Sequence, residues 1–545
     1  MPKMKRTVQR TGAQALVESL ERAGVEVVFG YPGGNVLDIF DALPEGRFDF
    51  VLGRHEQGCV HMADGYARAL GRPGVVVVTS GPGLTNTITG LGTANMDGVP
   101  MVLVCGQVPL DQIGTDAFQE ADTTGLTRAV SKHNFLVHSA DEIPETVAQA
   151  FYIATHGKPG PVVIDIPRDI QEAFTAAQYP ERVVLRSYHP EVTASTSQVN
   201  RLAKLLNEAK RPVIYAGGGV IAAEAAEDVR SLAHKAGVPV ATTLMGIGST
   251  DADDPLALGL AGLHGTYVAN AAIANADVIL ALGVRFNDRV TGKVAKYAKK
   301  AKIVHVDCDP ASINKNVSVH LGIVADVKDL LATVNSRIRP AERAEWRASV
   351  AAWRGTKSVV APKSKGALSP ADVVASVARV SRGDERIVTD VGQHQVWAAK
   401  GFPHRLPRHF ISSGGMGTMG FGIPAAIGVA IAKPGERVVA FLGDGGAQMT
   451  AEELIVAAER KLPIAFIVFR NGALGLVRQM QRREKGGRYF ATDLKSPDFV
   501  KLAAAYGVRS VRAADAKSLD AAVAKALKAH GPTLVEVEVE KEAEA

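Results

Sequence analysis

The stretch Gly443-Asp444-Gly445-Gly446, followed by Thr450-Ala451-Glu452-Glu453 and then by Asn471, decides the fold. Ahead of it, Arg437-Val438-Val439-Ala440-Phe441-Leu442 reads as a buried strand, an apolar run of strand length. The glycines that close it let the backbone turn sharply and approach a ligand. Thr450 and Glu453 have the spacing of a capping box, which predicts a helix from Thr450 to about Lys461, stopped by Pro463. A second apolar strand, Ile464 to Phe469, delivers Asn471. Two parallel strands thus bring a carboxylate and a side-chain amide to one sheet edge, the edge at which such sheets bind ligands. An Asp, an Asn oxygen and a nearby carbonyl are hard ligands of the kind that hold Mg²⁺ against a phosphate. A Gly-Asp-Gly alone is usually a turn, so the weight rests on the whole segment.

The same alternation runs through the chain and predicts an α/β protein of three doubly wound parallel-sheet domains, at 1–175, 190–340 and 365–545. In the first, strands at Val25 to Phe29, Val75 to Val78 and Pro100 to Cys105 each run into a Gly-containing turn, and a helix spans about Gly58 to Leu70. In the second, Pro212 to Tyr215, Pro239 to Leu244 and Val278 to Leu282 do the same, and Lys302 to Val306 runs into Asp307-Cys308-Asp309-Pro310. Domains one and three share a weak internal similarity of apolar strand, Gly-rich turn and helix. Gln171 to Ser197 reads as a linker, and Arg339 to Ser369 as a long charged connector with a Pro/Lys-rich end.

Composition narrows the class. The 545 residues are 46% hydrophobic and 22% charged, which is ordinary for a soluble protein. The net charge of +6 is dispersed, with only the short Lys3-Met4-Lys5-Arg6 cluster, so a nucleic-acid footprint is not expected. Cys59, Cys105 and Cys308 are odd in number and widely spaced, and read as buried free thiols in a reducing cytoplasm. No apolar run is long enough to span a membrane, and no secretory h-region is present.

Four further stretches fix a resemblance: Gly30-Tyr31-Pro32-Gly33, Arg54-His55-Glu56-Gln57-Gly58, Ala63-Asp64-Gly65-Tyr66-Ala67-Arg68 and Thr79-Ser80-Gly81-Pro82-Gly83. Alone, Glu56 reads as a solvated acid at a helix start. Together, the four resemble the pyrimidine-binding domain of thiamine diphosphate (ThDP) enzymes, and Gly443 to Asn471 resembles their diphosphate motif. The resemblance implies that Glu56 bonds the aminopyrimidine and promotes its imino tautomer, a proton exchange suited to a carboxyl group. It places Pro32, Gly33, Gln393, His394, Met419, Gly443, Asp444, Gly445, Gly446 and Asn471 against ThDP. It makes Asp444, Asn471 and the Ala473 carbonyl the Mg²⁺ ligands. The first Asn of the family's pair is Arg470 here.

Gly106-Gln107-Val108-Pro109, Ile113 to Glu120 and Thr127 to Phe135 narrow the resemblance to the acetohydroxyacid synthase (acetolactate synthase) catalytic subunits, over nearly the whole chain. Gln107, Phe118, Lys132 and Arg285 match family active-site positions. Without the family, Phe118 reads as packing and Lys132 as a surface charge. The central domain would hold a structural FAD through Lys158, Gly217, Gly218, Thr243, Leu244, Leu263, His264, Gly265, Arg285, Asp307 and Asp326. Lys158 stands where the family has Arg, keeping the charge without the two-pronged fork, and Met480 stands where many members have Trp. The implied activity is decarboxylation of pyruvate and ligation to a second 2-ketoacid, by a homodimer or homotetramer with sites at the subunit interface and a separate regulatory small subunit. The alternatives are a ThDP lyase with another donor or acceptor, such as a 2-ketoacid decarboxylase or a sulfoacetaldehyde-type acetyltransferase, and a non-catalytic nucleotide-binding protein.

Overall fold

The computed structural model describes residues 9–354, 368–541 and 543–545; the Lys3-to-Arg6 cluster and the Pro/Lys-rich connector end lie outside them. The described chain contains three six-stranded sheets in which every neighbouring pair is parallel. It divides into two compact units. The first comprises Met1–His189, Gly415–Pro434 and Thr450–Arg460, and the second Pro190–Gly414, Gly435–Met449 and Lys461–Ala545.

The first unit is built on strands Val27–Tyr31, Asp49–Leu52, Gly74–Val78, Met101–Gln107, His133–Leu136 and Pro161–Pro167. Numbered in chain order within the sheet, they lie side by side as 2-1-3-4-6-5. Val75 to Val78 are buried on both faces, as a central parallel strand requires, which is why its sequence is a continuous apolar run. The strand expected at Val25 begins at Val27, because the Val25 N–H is taken by Leu20 O in the turn after helix Gly12–Arg22. The helix expected from Gly58 begins at Glu56, with His55 Nδ1 accepting from the Gln57 N–H as its cap. That helix, Glu56–Leu70, packs closely on Gly422–Ala432. A Cβ on Gly65 would lie 2.2 Å from Ala425 O and one on Gly428 1.8 Å from Met62 O, so both helices need glycine at the crossing. The linker starts later than expected. Helix Arg168–Glu172 and strand Phe174–Thr175, which pairs back with Arg10–Thr11, precede residues 176–195, where neither helix nor strand occurs.

The second unit holds two sheets. One consists of Pro212–Ala216, Val240–Thr242, Ala257–Leu260, Val278–Leu282, Lys302–Asp307 and Leu321–Val324, in the order 3-2-1-4-5-6. The other consists of Arg386–Thr389, Phe410–Ser412, Val438–Gly443, Ile464–Arg470, Arg509–Ala513 and Thr533–Glu538, in the order 2-1-3-4-6-5. The internal similarity read from sequence is thus a shared topology of the first and third sheets. The second connector contains a helix, Ala344–Arg354, instead of being irregular. Its buried Trp346 and Val350 are one turn apart, and the indole N–H of Trp346 donates to Pro212 O at 3.0 Å. Cys59 and Cys105 are buried free thiols as expected, but Cys308 is only half-buried. Among the described residues no helix is long and apolar enough to cross a membrane.

Candidate active site

In the second unit, the third sheet sets Asp444 and Asn471 side by side. Gly443 pairs with Phe469 across adjacent strands, so the two chains leave the same edge in step. Asp444 is 2% exposed. Its Oδ2 accepts from the Gly472 N–H and from Ser496 Oγ, each at 2.8 Å. Burial pushes its pKa up against those hydrogen bonds. A carboxylate kept from water with its neighbours all oxygen or N–H donors is a group that a cation stabilises. Asn471 Oδ1 accepts from the Ala473 N–H at 3.1 Å, through a turn that Gly472 makes at φ +64°. Asp444, the Asn471 amide and the adjoining carbonyls form a hard oxygen set that fits Mg²⁺. The neighbouring Arg470, which replaces the expected Asn, lies with its Nε 3.6 Å from buried Glu536, and its charge also bears on Asp444, favouring the ionised carboxylate.

The glycines of Gly443-Asp444-Gly445-Gly446 do not make a left-handed turn, since Asp444–Ala447 is already helical. They make room. A Cβ on Gly443 would lie 2.9 Å from the His394 ring, and one on Gly446 2.3 Å from Asp390 Oδ1. His394 is buried, which lowers its pKa to about 4, so the imidazole is neutral; its Nε2 has no partner among the described residues. The neutral ring donates to the Asp390 carbonyl, so Nε2 beside the Asp444 turn is a free acceptor, suited to an O–H or N–H donor. Gln393 Nε2 donates to Gln479 Oε1 at 2.7 Å and to Ala543 O at 2.6 Å. Gly475 lets Gln393 and Asn471 meet, because a Cβ there would lie 2.3 Å from one and 2.9 Å from the other.

The expected capping box is absent. Thr450 Oγ1 donates to Gly420 O, Ala451–Glu453 is a 3₁₀ turn, and the α-helix is only Leu454–Glu459. Glu453 is fully buried in the first unit and accepts from the backbone N–H groups of Arg54 and His55.

Those two residues precede Glu56, the acid of the first unit's site. Glu56 Oε2 accepts from Asn86 Nδ2 at 2.9 Å. The turn carrying Pro32 and Gly33 is stitched to the third strand's loop: the Asn35 N–H donates to Thr79 Oγ1 and Asn35 Nδ2 to Ser80 Oγ. A Cβ on Gly33 would lie 2.4 Å from Thr79, so glycine is needed there. Gln107 is buried and donates to Ala121 O, Thr123 Oγ1 and Asp165 Oδ2. Burial raises the Asp165 pKa to about 7. Phe118 is 86% exposed and packs no core. Lys132 is no surface charge. Its ammonium donates to the carbonyls of Ile153 and His156 and lies over the Tyr188 ring. Lys158 is half-buried just beyond helix Ile143–Thr155, whose C-terminal end supplies the Ile153 carbonyl. Met419 is half-buried between Gly417 and Gly420, both at positive φ, and Thr418 bonds Thr93 within the same unit.

Of the residues assigned to FAD, Lys158 belongs to the first unit, and the others gather at the C-terminal edge of the second sheet, at the ends of its six strands or in the loops after them. Gly217 and Arg285 follow the first and fourth strands, where the order reverses and where doubly wound sheets bind dinucleotides. Leu263 is exposed and His264, Gly265 and Arg285 are half-buried there. Gly217 is also required by the protein itself, since a Cβ would lie 2.0 Å from Gly283 O, whereas Gly218 faces the Met245 side chain. Thr243 caps the turn Leu244–Gly246, Asp326 caps helix Val327–Asn335, and Asp307 accepts from the Asp309 N–H.

Sequence reasoning missed Asn86, Asp165, Ser496 and the part played by Glu453. Each acts on a partner distant in sequence, which no local spacing reveals.

Three family models match in order: the N-terminal TPP binding domain over residues 10–126, the central domain of the thiamine pyrophosphate enzymes over 199–334, and the C-terminal TPP binding domain over 390–537. Among curated proteins, the acetolactate synthase large subunit of Haemophilus influenzae is 45% identical over 95% of this chain and 92% of its own length. The acetolactate synthase of Mycobacterium bovis is 46% identical over 92% of this chain and 84% of its own. The mitochondrial acetolactate synthase catalytic subunit of Saccharomyces cerevisiae is 42% identical over 97% and 81%.

Proposed function

The chain belongs to the thiamine pyrophosphate enzymes and, among them, to the acetolactate synthase large subunits, and from that premise we propose how its own residues serve the reaction. Pyruvate loses CO₂, and its two-carbon remainder passes to a second 2-ketoacid. Pyruvate as acceptor gives 2-acetolactate and 2-ketobutyrate gives 2-aceto-2-hydroxybutyrate, the branched-chain amino acid precursors. ThDP, when bound, supplies the carbon nucleophile. The observation that carries the reading is buried Asp444 beside Asn471 at two adjoining strand ends.

Asp444, Asn471 and the Ala473 carbonyl hold Mg²⁺, and His394 and Gln393 face the diphosphate. Glu56, steadied by Asn86, would take or return a proton at its carboxylate where the aminopyrimidine would lie. Met419 would pack against the bound cofactor. The loops at the C-terminal edge of the second sheet would hold FAD as a structural group, and Arg285 would offer its guanidinium to the carboxylate of the second 2-ketoacid. Gln107, Phe118 and Lys132 complete the substrate side. Met480, half-buried on helix Gly475–Glu484, sets acceptor preference. The three domains span 1–175, 190–340 and 365–545. The working assembly is a cytoplasmic homodimer or homotetramer with a separate regulatory small subunit.

Purified protein incubated with pyruvate, ThDP and Mg²⁺, with and without FAD, tests the reading. Acetolactate, measured as acetoin after acid decarboxylation, is the expected product; acetaldehyde alone would overturn the carboligase assignment in favour of a decarboxylase. Glu56→Gln is expected to lower kcat by about 10²–10⁴, the usual worth of a proton-transfer group. Unchanged turnover in that variant would remove Glu56 from the mechanism.

A further inference from the structure

We propose that Glu453 is a positioning residue for Glu56, clamping the backbone that presents it. The inference rests on the reading of Glu56 given above. Glu453 lies almost four hundred residues from Glu56 in sequence but in the same compact unit. It is fully buried and, among the described residues, forms no ion pair. Its Oε1 accepts from the Arg54 N–H at 3.1 Å and the His55 N–H at 3.0 Å, and its Oε2 from the Arg54 N–H at 3.1 Å. These N–H groups immediately precede helix Glu56–Leu70, whose His55 cap fixes its first turn. The Arg54 side chain is engaged elsewhere, with Glu459 and the carbonyls of Leu52 and Gly53.

The contact continues into the helix. A Cβ on Gly58 would lie 1.9 Å from Glu453 Oε1, so the first turn rests directly against the carboxylate. The clamp therefore touches the chain on both sides of Glu56, at residues 54–55 and at Gly58. Asn86 then holds the Glu56 carboxylate from a third direction. Burying an acid whose acceptors are satisfied only by backbone N–H groups is costly, and burial accordingly raises its pKa to about 7. Arg54, Glu452 and Cys59 are the titratable or charged groups that bear on it, with Glu56 on the same helix start. A nearly free N-terminal turn would be set by its own cap alone. Here a distant segment holds that turn at a cost, which is the signature of a part whose position matters.

The test uses the full chain in three variants: Glu453→Gln, which keeps the shape and loses the second carboxylate oxygen; Gly58→Ala, which pushes a methyl into the clamp without touching Glu453; and Glu56→Gln as reference. Amide hydrogen exchange across residues 52–58 is measured on the cofactor-free protein, and kcat and KM for pyruvate on the loaded enzyme. Glu453→Gln and Gly58→Ala are both expected to speed exchange at Arg54 and His55 at least tenfold and to lower kcat about tenfold, with KM within twofold. The double variant should lose no more than the worse single. Glu56→Gln should abolish most turnover while leaving exchange at Arg54 and His55 unchanged. Wild-type exchange and wild-type kcat in both clamp variants, alongside an inactive Glu56→Gln, would overturn the clamp and leave the Glu56 reading intact. An active Glu56→Gln would instead overturn the Glu56 reading, whatever the exchange showed.

Discussion

The first and third sheets share the strand order 2-1-3-4-6-5 but carry their acids in different places. Glu56 follows the second strand of its sheet, Asp49–Leu52, which lies at the sheet edge and is mostly open to solvent. Asp444 follows the third strand of its sheet, Val438–Gly443, which lies in the interior and is buried almost throughout. The acids inherit these surroundings: Glu56 is half-buried, and Asp444 is 2% exposed. One scaffold thus yields two environments, and the roles proposed above follow them: proton exchange for the edge acid and cation binding for the interior one.

The strongest way to break this comparison is to remove the interior charge. Asp444→Asn keeps the shape and the hydrogen bonds' geometry but loses the anion. Activity is expected to fall at least about a thousandfold, on the scale of the several kcal/mol a bound metal supplies, and saturating Mg²⁺ should not restore it. Calorimetric titration of Mg²⁺ in the presence of ThDP measures the loss directly. Near-normal Mg²⁺ affinity would mean that Asp444 is a buried structural acid, and the contrast between the two sheets would then be one of burial alone.

Next in size is the pH dependence that Glu453 builds into the first unit. Its folded pKa is about 7, raised by burial from 4.5. A raised carboxyl stabilises the folded state fully below the unfolded value, and that contribution is lost as pH rises through the folded value. Stability attributable to Glu453 should therefore decline from about pH 4.5 to 7, by at most about 3.5 kcal/mol at roughly 1.4 kcal/mol per tenfold. Asp165, also raised to about 7, adds a decline of the same sign in the wild type. The difference between wild type and Glu453→Gln isolates Glu453, and denaturant midpoints at pH 5 and 7.5 should lie closer together in the variant. Equal spacing in both proteins would show that Glu453 stays ionised throughout.

The comparison also shows what the sequence makes legible. The strands Val438–Gly443 and Ile464–Arg470 are apolar runs because they are buried almost throughout, so Asp444 and Asn471 could be set at one edge from sequence alone. Glu453 was misread because Thr450-x-x-Glu453 is a local pattern, while the partners that claim Glu453 are the N–H groups of Arg54 and His55. The helix Ala344–Arg354 escaped because its apolar face is sparse, with Trp346 and Val350 the buried positions. Phe118 and Lys132 went the opposite way from their isolated readings, one exposed and the other held by two carbonyls, because single residues carry no periodic signal.

The smallest predicted effect concerns the single side-chain donor that each acid receives. Ser496 Oγ donates to buried Asp444 Oδ2 at 2.8 Å, and Asn86 Nδ2 donates to half-buried Glu56 Oε2 at 2.9 Å. Removing Ser496 leaves Asp444 with the Gly472 N–H on that oxygen and no water to replace the lost donor. Ser496→Ala should weaken Mg²⁺ binding about 10–100-fold, as loss of a partner to a metal ligand does. Asn86→Ala exposes Glu56 to water that can take over the bond, so kcat should fall only a few-fold, within the roughly 0.5–1.5 kcal/mol of an ordinary hydrogen bond. Mg²⁺ titration for the first variant and steady-state kinetics for the second measure the two losses on a common free-energy scale. A larger loss for Asn86→Ala than for Ser496→Ala would reverse the order of burial that separates the two sheets, and would make the edge acid the one whose environment is less replaceable.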